Sequence, residues 1–84
     1  MAVQLKICGL TNLADARAAQ QAGADWLGFI FADSPRQVNP PQAAEIINEL
    51  TGKIKTVGVF VDRPLSEVQQ IGDRCGLDYL QLHG

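Results

Sequence analysis

Four short apolar runs alternate with three helix-like stretches in this chain, and nearly every junction between them carries a glycine or proline. Val3 to Cys8 reads as a strand closed by Gly9, and Thr11 or Asn12 caps a helix running to about Ala22, with Gly23 as its stop. Trp26 to Phe31 forms the second strand, too apolar for a half-exposed sheet and suited to one covered on both faces. Asp33 to Asn39 is a polar loop, after which Asn39 caps a helix opened by Pro40 and Pro41. Ala43, Ile46, Ile47 and Leu50 make one apolar stripe on that helix, which Gly52 ends. Lys55 to Val61 is a valine-rich third strand. Pro64 opens a third helix with Leu65, Val68, Ile71 and Cys75 on one side, and Gly76 precedes a last strand, Leu77 to Leu82.

The order is βαβαβαβ, an α/β pattern whose connections are long enough for right-handed crossovers between parallel strands. A faint repeat runs through it: Gly23-Ala-Asp25-Trp-Leu matches Gly76-Leu-Asp78-Tyr-Leu, a helix stop leading into an Asp-aromatic-Leu strand entry. Two architectures accept such units, an open doubly wound sheet and a barrel. The first turn, Cys8-Gly-Leu-Thr-Asn, lacks the Gly-x-Gly-x-x-Gly loop common in the former, and no Walker sequence occurs. A (βα)8 TIM barrel takes ~250 residues, and ~200 at minimum. The 84 residues, ending at His83-Gly84 straight after the fourth strand, are therefore expected to be the first half of one. Residues 1–84 would form an amino-terminal half-barrel.

Composition narrows the function classes. Seven Lys/Arg stand against nine Asp/Glu with no basic run, so the footprint of a nucleic-acid binder is missing. The longest apolar stretch, Trp26 to Ala32, is too short to cross a bilayer, and the start shows no signal-peptide pattern. No membrane partner is expected, and the cytoplasm is the expected compartment. Two distant cysteines and a single histidine make neither a zinc finger, an iron–sulfur framework nor a disulfide scaffold. No metal is expected, and both thiols should be reduced.

The residues with chemical potential gather at the carboxyl ends of the expected strands: Cys8, then Asp33-Ser34-Pro35-Arg36, then Asp62-Arg63, then His83. In both parallel architectures ligands bind at that edge. Alternation puts Lys6 and Cys8 on one strand face, and Tyr79, Gln81 and His83 on another, with Leu80 and Leu82 opposite. Taken singly, these residues also have plain structural roles. A lone cysteine at a strand end is more often a small buried hydrophobe than a base, which is the role expected of Cys75. Asp62 and Arg63 are expected to serve the turn and cap of the third helix.

Lys6-Ile-Cys8-Gly9-Leu10-Thr11, Gly28-Phe-Ile-Phe31 leading to Ser34-Pro35-Arg36, Val57-Gly-Val-Phe-Val61, and Leu80-Gln81-Leu-His83-Gly84 together resemble the phosphoribosylanthranilate isomerase family. The resemblance covers essentially the whole chain, in order. It implies a (βα)8 barrel of tryptophan biosynthesis that performs a cofactor-free Amadori rearrangement on a phosphorylated small molecule. It also implies Cys8 as the general base at substrate C2, Arg36 as the clamp on the anthranilate carboxylate, and Gln81 and His83 as pocket-lining residues. A thiol acts as a base only as thiolate, and Lys6 on the same strand face is one candidate for lowering its pKa. The family's general acid and phosphate loops belong to later strands, so Asp33 and Asp62 do not fill the acid's role. The 84 residues alone should be catalytically silent. Two other readings are carried beside this one. A non-catalytic half-barrel could self-associate or pair with a missing half through its open edges, or the chain could belong to another sugar-phosphate barrel enzyme.

Overall fold

The computed structural model describes residues 4–50 and 54–83. Seven elements follow in the expected order: β1 (Lys6–Cys8), α1 (Leu13–Gln21), β2 (Trp26–Ile30), α2 (Pro40–Glu49), β3 (Lys55–Val61), α3 (Leu65–Cys75) and β4 (Tyr79–His83). The strands form one parallel sheet in the order β1-β2-β3-β4. Val3 and Gly52, expected as a strand start and a helix stop, lie outside the described residues.

Local chemistry sets most boundaries. Asn12 rather than Thr11 caps α1, its Oδ1 accepting from the Asp15 amide at 2.8 Å. Asn39 caps α2 and Gln42 completes a reciprocal capping box, Asn39 Oδ1 accepting from the Gln42 amide at 2.8 Å. The third helix departs from expectation. Pro64 occupies its N-cap with no side-chain cap bond, so neither Asp62 nor Arg63 caps it. Arg63 instead pairs with Glu67 one turn on, at 2.7 Å. Asp62 makes the turn itself, in the left-handed region at φ 52°. Leu65, expected within the buried stripe, is 59% exposed because it stands at the first helical position, beyond the sheet that covers Val68, Ile71 and Cys75. The last strand begins two residues later than expected: the Leu77 amide is still bonded to Gly72 O, and Asp78 is held by Thr56.

The core lies between the sheet and the helices. Leu27, Phe29, Phe31 and Phe60 are fully buried with Ala16, Ala43 and Val68, and Phe31 stacks on Phe60 with ring centroids 5.0 Å apart. Each such aromatic contributes roughly 1.5–3 kcal/mol by leaving water. Leu80 and Leu82 on the same outer face of β4 remain exposed.

The repeat noted in the sequence has a physical basis at the amino ends of the strands. Asp25 Oδ2 accepts from the Leu5 amide at 2.8 Å, while the Asp25 amide donates to Leu5 O at 2.8 Å. Asp78 does the same for Thr56, its Oδ2 accepting from that amide at 2.8 Å while its own amide donates to Thr56 O at 3.0 Å. Each aspartate thus clasps the start of the preceding strand to the start of its own.

The sheet is curled. β1 and β4 are its outermost strands, and in a flat sheet three spacings of ~4.8 Å would hold them apart with side chains running parallel. Yet Lys6 Nζ donates to Gln81 Oε1 at 3.0 Å across the inner face. Trp26 on β2 likewise meets Tyr79 on β4, ring centroids 4.7 Å apart. By strand pairing, Lys6 is level with position 77 of β4, so Gln81 lies four residues further along. An eight-stranded barrel with a shear of eight shifts about one residue per strand, and face parity allows two or four over three steps. Both the curvature and the stagger are those of half a barrel.

Candidate active site at the carboxyl ends of the strands

Cys8 ends β1 on the inner face, and it is exposed rather than packed as a small hydrophobe. Its thiol occupies space that only glycine leaves. A Cβ on Gly28, the partner of Cys8 across the β1–β2 ladder, would stand 2.6 Å from Sγ and 3.2 Å from the Cys8 Cα. The same Gly28 fixes the chain beyond the thiol, its carbonyl accepting from the Gly9 amide at 3.1 Å and the Leu10 amide at 3.3 Å. Gly9 is at φ 82°, where a side chain is strained, and buried Leu10 anchors the turn behind it.

Arg36 is delivered to this place by the loop after β2. The Val38 amide donates to Ile30 O at 2.9 Å and Gln37 bridges Ile30, so the loop folds back along its own strand. Val38 is buried, and the Ser34 hydroxyl accepts from the Arg36 amide at 3.2 Å. The Arg36 side chain then lies on the Gly9 backbone: a Cβ there would meet its Cδ at 2.7 Å and Nη1 at 3.2 Å. Cys8 thus ends β1 one residue before the Gly9 backbone on which the Arg36 side chain lies, so both belong to one strand end. This arrangement suits a thiol acting on a ligand whose carboxylate the arginine holds by a bidentate fork.

Gln81 faces inward from β4 and is engaged by Lys6, so the lysine's ammonium is directed across the sheet to an amide. His83 closes β4 opposite Val61, and its side chain lies outside the described residues. Asp33 and Asp62 stand exposed at the same rim. No cluster of His, Cys, Asp and Glu able to hold a metal occurs among the described residues. No helix among them is long and apolar enough to cross a membrane. The open groove between α2 and α3, lined by Ala44, Asp73, Arg74 and Cys75, lies on the outer side, away from Cys8.

Sequence reasoning did not single out Gly9 and Gly28 as parts of the site, nor the Lys6–Gln81 bond. Gly28 carried a signal, since a glycine inside an apolar strand marks a close approach. The bond carried none, because it joins residues 75 apart across a curvature that no local pattern encodes.

A sequence model of the N-(5'-phosphoribosyl)anthranilate isomerase family matches residues 5–84. The isomerase of Geobacter sulfurreducens is 57% identical over 98% of the chain, and that of Pelobacter propionicus 55% over 98%. The chain spans about 40% of the length of these relatives. The crystal structure of phosphoribosyl anthranilate isomerase from Thermotoga maritima overlays 99% of the chain with a TM-score of 0.95 at 39% identity, the match covering 41% of that structure. A second isomerase structure, in complex with reduced 1-(o-carboxyphenylamino)-1-deoxyribulose 5-phosphate, matches with the same TM-score over 43% of its length.

Proposed function

This chain belongs to the phosphoribosylanthranilate isomerase family, and we propose that its 84 residues supply the base and the carboxylate clamp of that family's reaction. The observation that supports this most is the seating of Arg36 on Gly9, next to a thiol given its room by Gly28. The substrate would be N-(5-phosphoribosyl)anthranilate, taken without a cofactor. Its ribose ring opens when a general acid protonates the ring oxygen, leaving a protonated imine at C1. The Cys8 thiolate then removes the C2 proton, the C2–H electrons form the C1–C2 double bond, and the C1–N π electrons return to nitrogen. The resulting enol tautomerises to the 2-keto product. Arg36 holds the anthranilate carboxylate so that C2 faces the sulfur, while Gln81 and His83 line the sugar's side of the pocket. Cytoplasmic residence fits such a metabolite.

The acid is a different matter. Neither Asp33 nor Asp62 is proposed for that role, so these 84 residues alone are expected to be silent. Absence of a general acid forfeits about 10²–10⁴-fold, before any loss of phosphate anchoring. The test is turnover of substrate generated in situ, followed by its fluorescence loss. The chain alone is expected to give none. Adding a polypeptide that carries the remaining strands of a relative should restore activity, and the Cys8→Ala chain should not respond. Activity of the isolated chain, or rescue of the alanine variant, would overturn the assignment. Exposed Leu80 and Leu82 on the outer face of β4 favour a second reading, a non-catalytic assembly unit, which predicts a stable complex with no turnover.

A further inference from the structure

The inner face of the sheet carries two ammonium groups and no carboxylate. Lys6, Trp26 and Lys55 lie level across β1, β2 and β3, and Lys55 Nζ stands 5.2 Å from the Trp26 ring centroid. All nine acidic residues are elsewhere. Asp25 and Asp78 hold backbone amides at the amino rim, Asp33 and Asp62 lie in loops beyond the strands, and the others are on helices. The ion pairs among the described residues, Arg17–Glu49 and Arg63–Glu67, include neither lysine. The face is also uncovered. Among the described residues β1 and β4 each have one unpaired edge, and inward-facing Tyr79 and Val61 are 52% and 41% exposed. We propose that this face takes a partner sheet that brings a carboxylate to Lys6, in preference to a second copy of this chain.

Covering the face takes water from whatever stands on it, and an ammonium buried without a counter-charge costs more than apolar contact around it returns. The two lysines differ in how they can escape. Lys55 is the first residue of β3, so its stem can carry the charge past the amino rim into water. Lys6 is turned the other way, its Nζ spanning from one edge strand to the other to donate to Gln81 Oε1 at 3.0 Å. That oxygen brings a dipole to Lys6 but no negative charge. A second copy would add ammonium groups and, from the same face, no carboxylate. A sheet with an inward-facing aspartate or glutamate near Lys6 meets the need. This requirement follows from the face and goes beyond the isomerase chemistry.

Three measurements test it, with Trp26, the chain's one tryptophan, reporting on the covered face. In the 84-residue chain alone, acrylamide should quench Trp26 equally in dilute and concentrated solution. Association through Leu80 and Leu82 on the outer face would raise the sedimentation coefficient and still leave Trp26 open. Co-expressed with the remaining strands of the Geobacter sulfurreducens isomerase, any tryptophan there replaced by phenylalanine, the chain should co-purify with Trp26 protected. On dilution the Lys6→Met pair should come apart at a concentration at least about thirtyfold higher than the parent pair, with Lys6→Arg close to the parent and Lys55→Met within about threefold. Among the partner's inward-facing acids, changed singly to their amides, one should weaken the pair about as much as Lys6→Met does. Combined with Lys6→Met, that change should hold better than either alone. The partner-side changes leave this chain intact, so they decide the matter if Lys6→Met does not fold. Trp26 protected by a copy of the parent chain would overturn the proposal, as would failure to co-purify, a Lys6→Met pair as firm as the parent, or no partner acid coupled to Lys6. A firm pair without turnover would count against the isomerase reading alone.

Discussion

The two rims of the sheet are built on different logic. At the amino ends of the strands one device appears twice, Asp25 clasping Leu5 and Asp78 clasping Thr56 with the same pair of bonds. At the carboxyl ends nothing repeats: β1 ends in a thiol, β2 in a loop carrying a guanidinium, β3 in Asp62 at a left-handed turn and β4 in a histidine. Repetition serves where every βα unit has the same problem, which is to start a strand beside its neighbour. Variety serves where the units converge on one ligand, each contributing a different group. In a barrel the first rim belongs to stability and the second to chemistry.

Gly28 is where that division should break first. It sits on the chemical rim, yet Gly28→Ala places a methyl 2.6 Å from the Cys8 sulfur and 3.2 Å from its Cα. Overpacking of this kind costs up to about 3 kcal/mol. It should also change the rate of Cys8 alkylation in whatever fraction remains folded. Since the closest contact is to sulfur, Cys8→Ala added to Gly28→Ala should recover at least about 1 kcal/mol in a denaturation cycle. Additive losses would show that the backbone contact alone sets the penalty, and that Gly28 has no particular relation to the thiol.

The clasps should sharpen the division. Thr56 is buried, so Asp78→Ala leaves an amide without water or acceptor and should cost about 2 kcal/mol. Leu5 is 43% exposed, so water replaces the carboxylate in Asp25→Ala and the loss should be about 1 kcal/mol or less. Denaturant midpoints of the two variants measure this. Cys8 alkylation in the folded chains should be unchanged in both, because neither carboxylate lies at the chemical rim. A loss at Asp25 as large as that at Asp78 would mean that the clasp acts through something other than burial.

The amino rim was legible in the sequence and the chemical rim only in part. Gly23-Ala-Asp25 and Gly76-Leu-Asp78 display their repeat in the chain itself, and Asn39 announces α2, because caps and stops act over three or four residues. Cys8 and Arg36 were legible as residue types at strand ends, but their adjacency through Gly9 depends on how the Asp33–Asn39 loop folds back. The cap expected of Asp62 or Arg63 failed for a related reason. Pro64 supplies the helical entry by its own fixed φ, which leaves Asp62 to the turn and Arg63 to Glu67. The Lys6–Gln81 bond lies furthest from local pattern, since only the closed curvature of four strands brings β1 to β4.

The two cysteines give the contrast its finest test. Cys8 is exposed at the chemical rim, whereas Cys75 is buried at the end of α3, beside the amino rim, its thiol donating to Pro40 O at 3.3 Å. Burial pushes the Cys75 thiol above its usual 9.0, against the opposing pull of the Arg74 guanidinium and a backbone hydrogen bond from Ala44. A raised folded pKa means that the folded chain binds the proton more tightly than the unfolded one. The resulting stability is whole below the unfolded value and is lost as pH rises through the folded one. Denaturation should therefore show stability declining above about pH 9. Cys75→Ala, at the expense of about 1 kcal/mol for the small cavity at neutral pH, should remove this thiol's share of the decline. An alkaline slope unchanged by Cys75→Ala would show that this buried thiol contributes no such linkage.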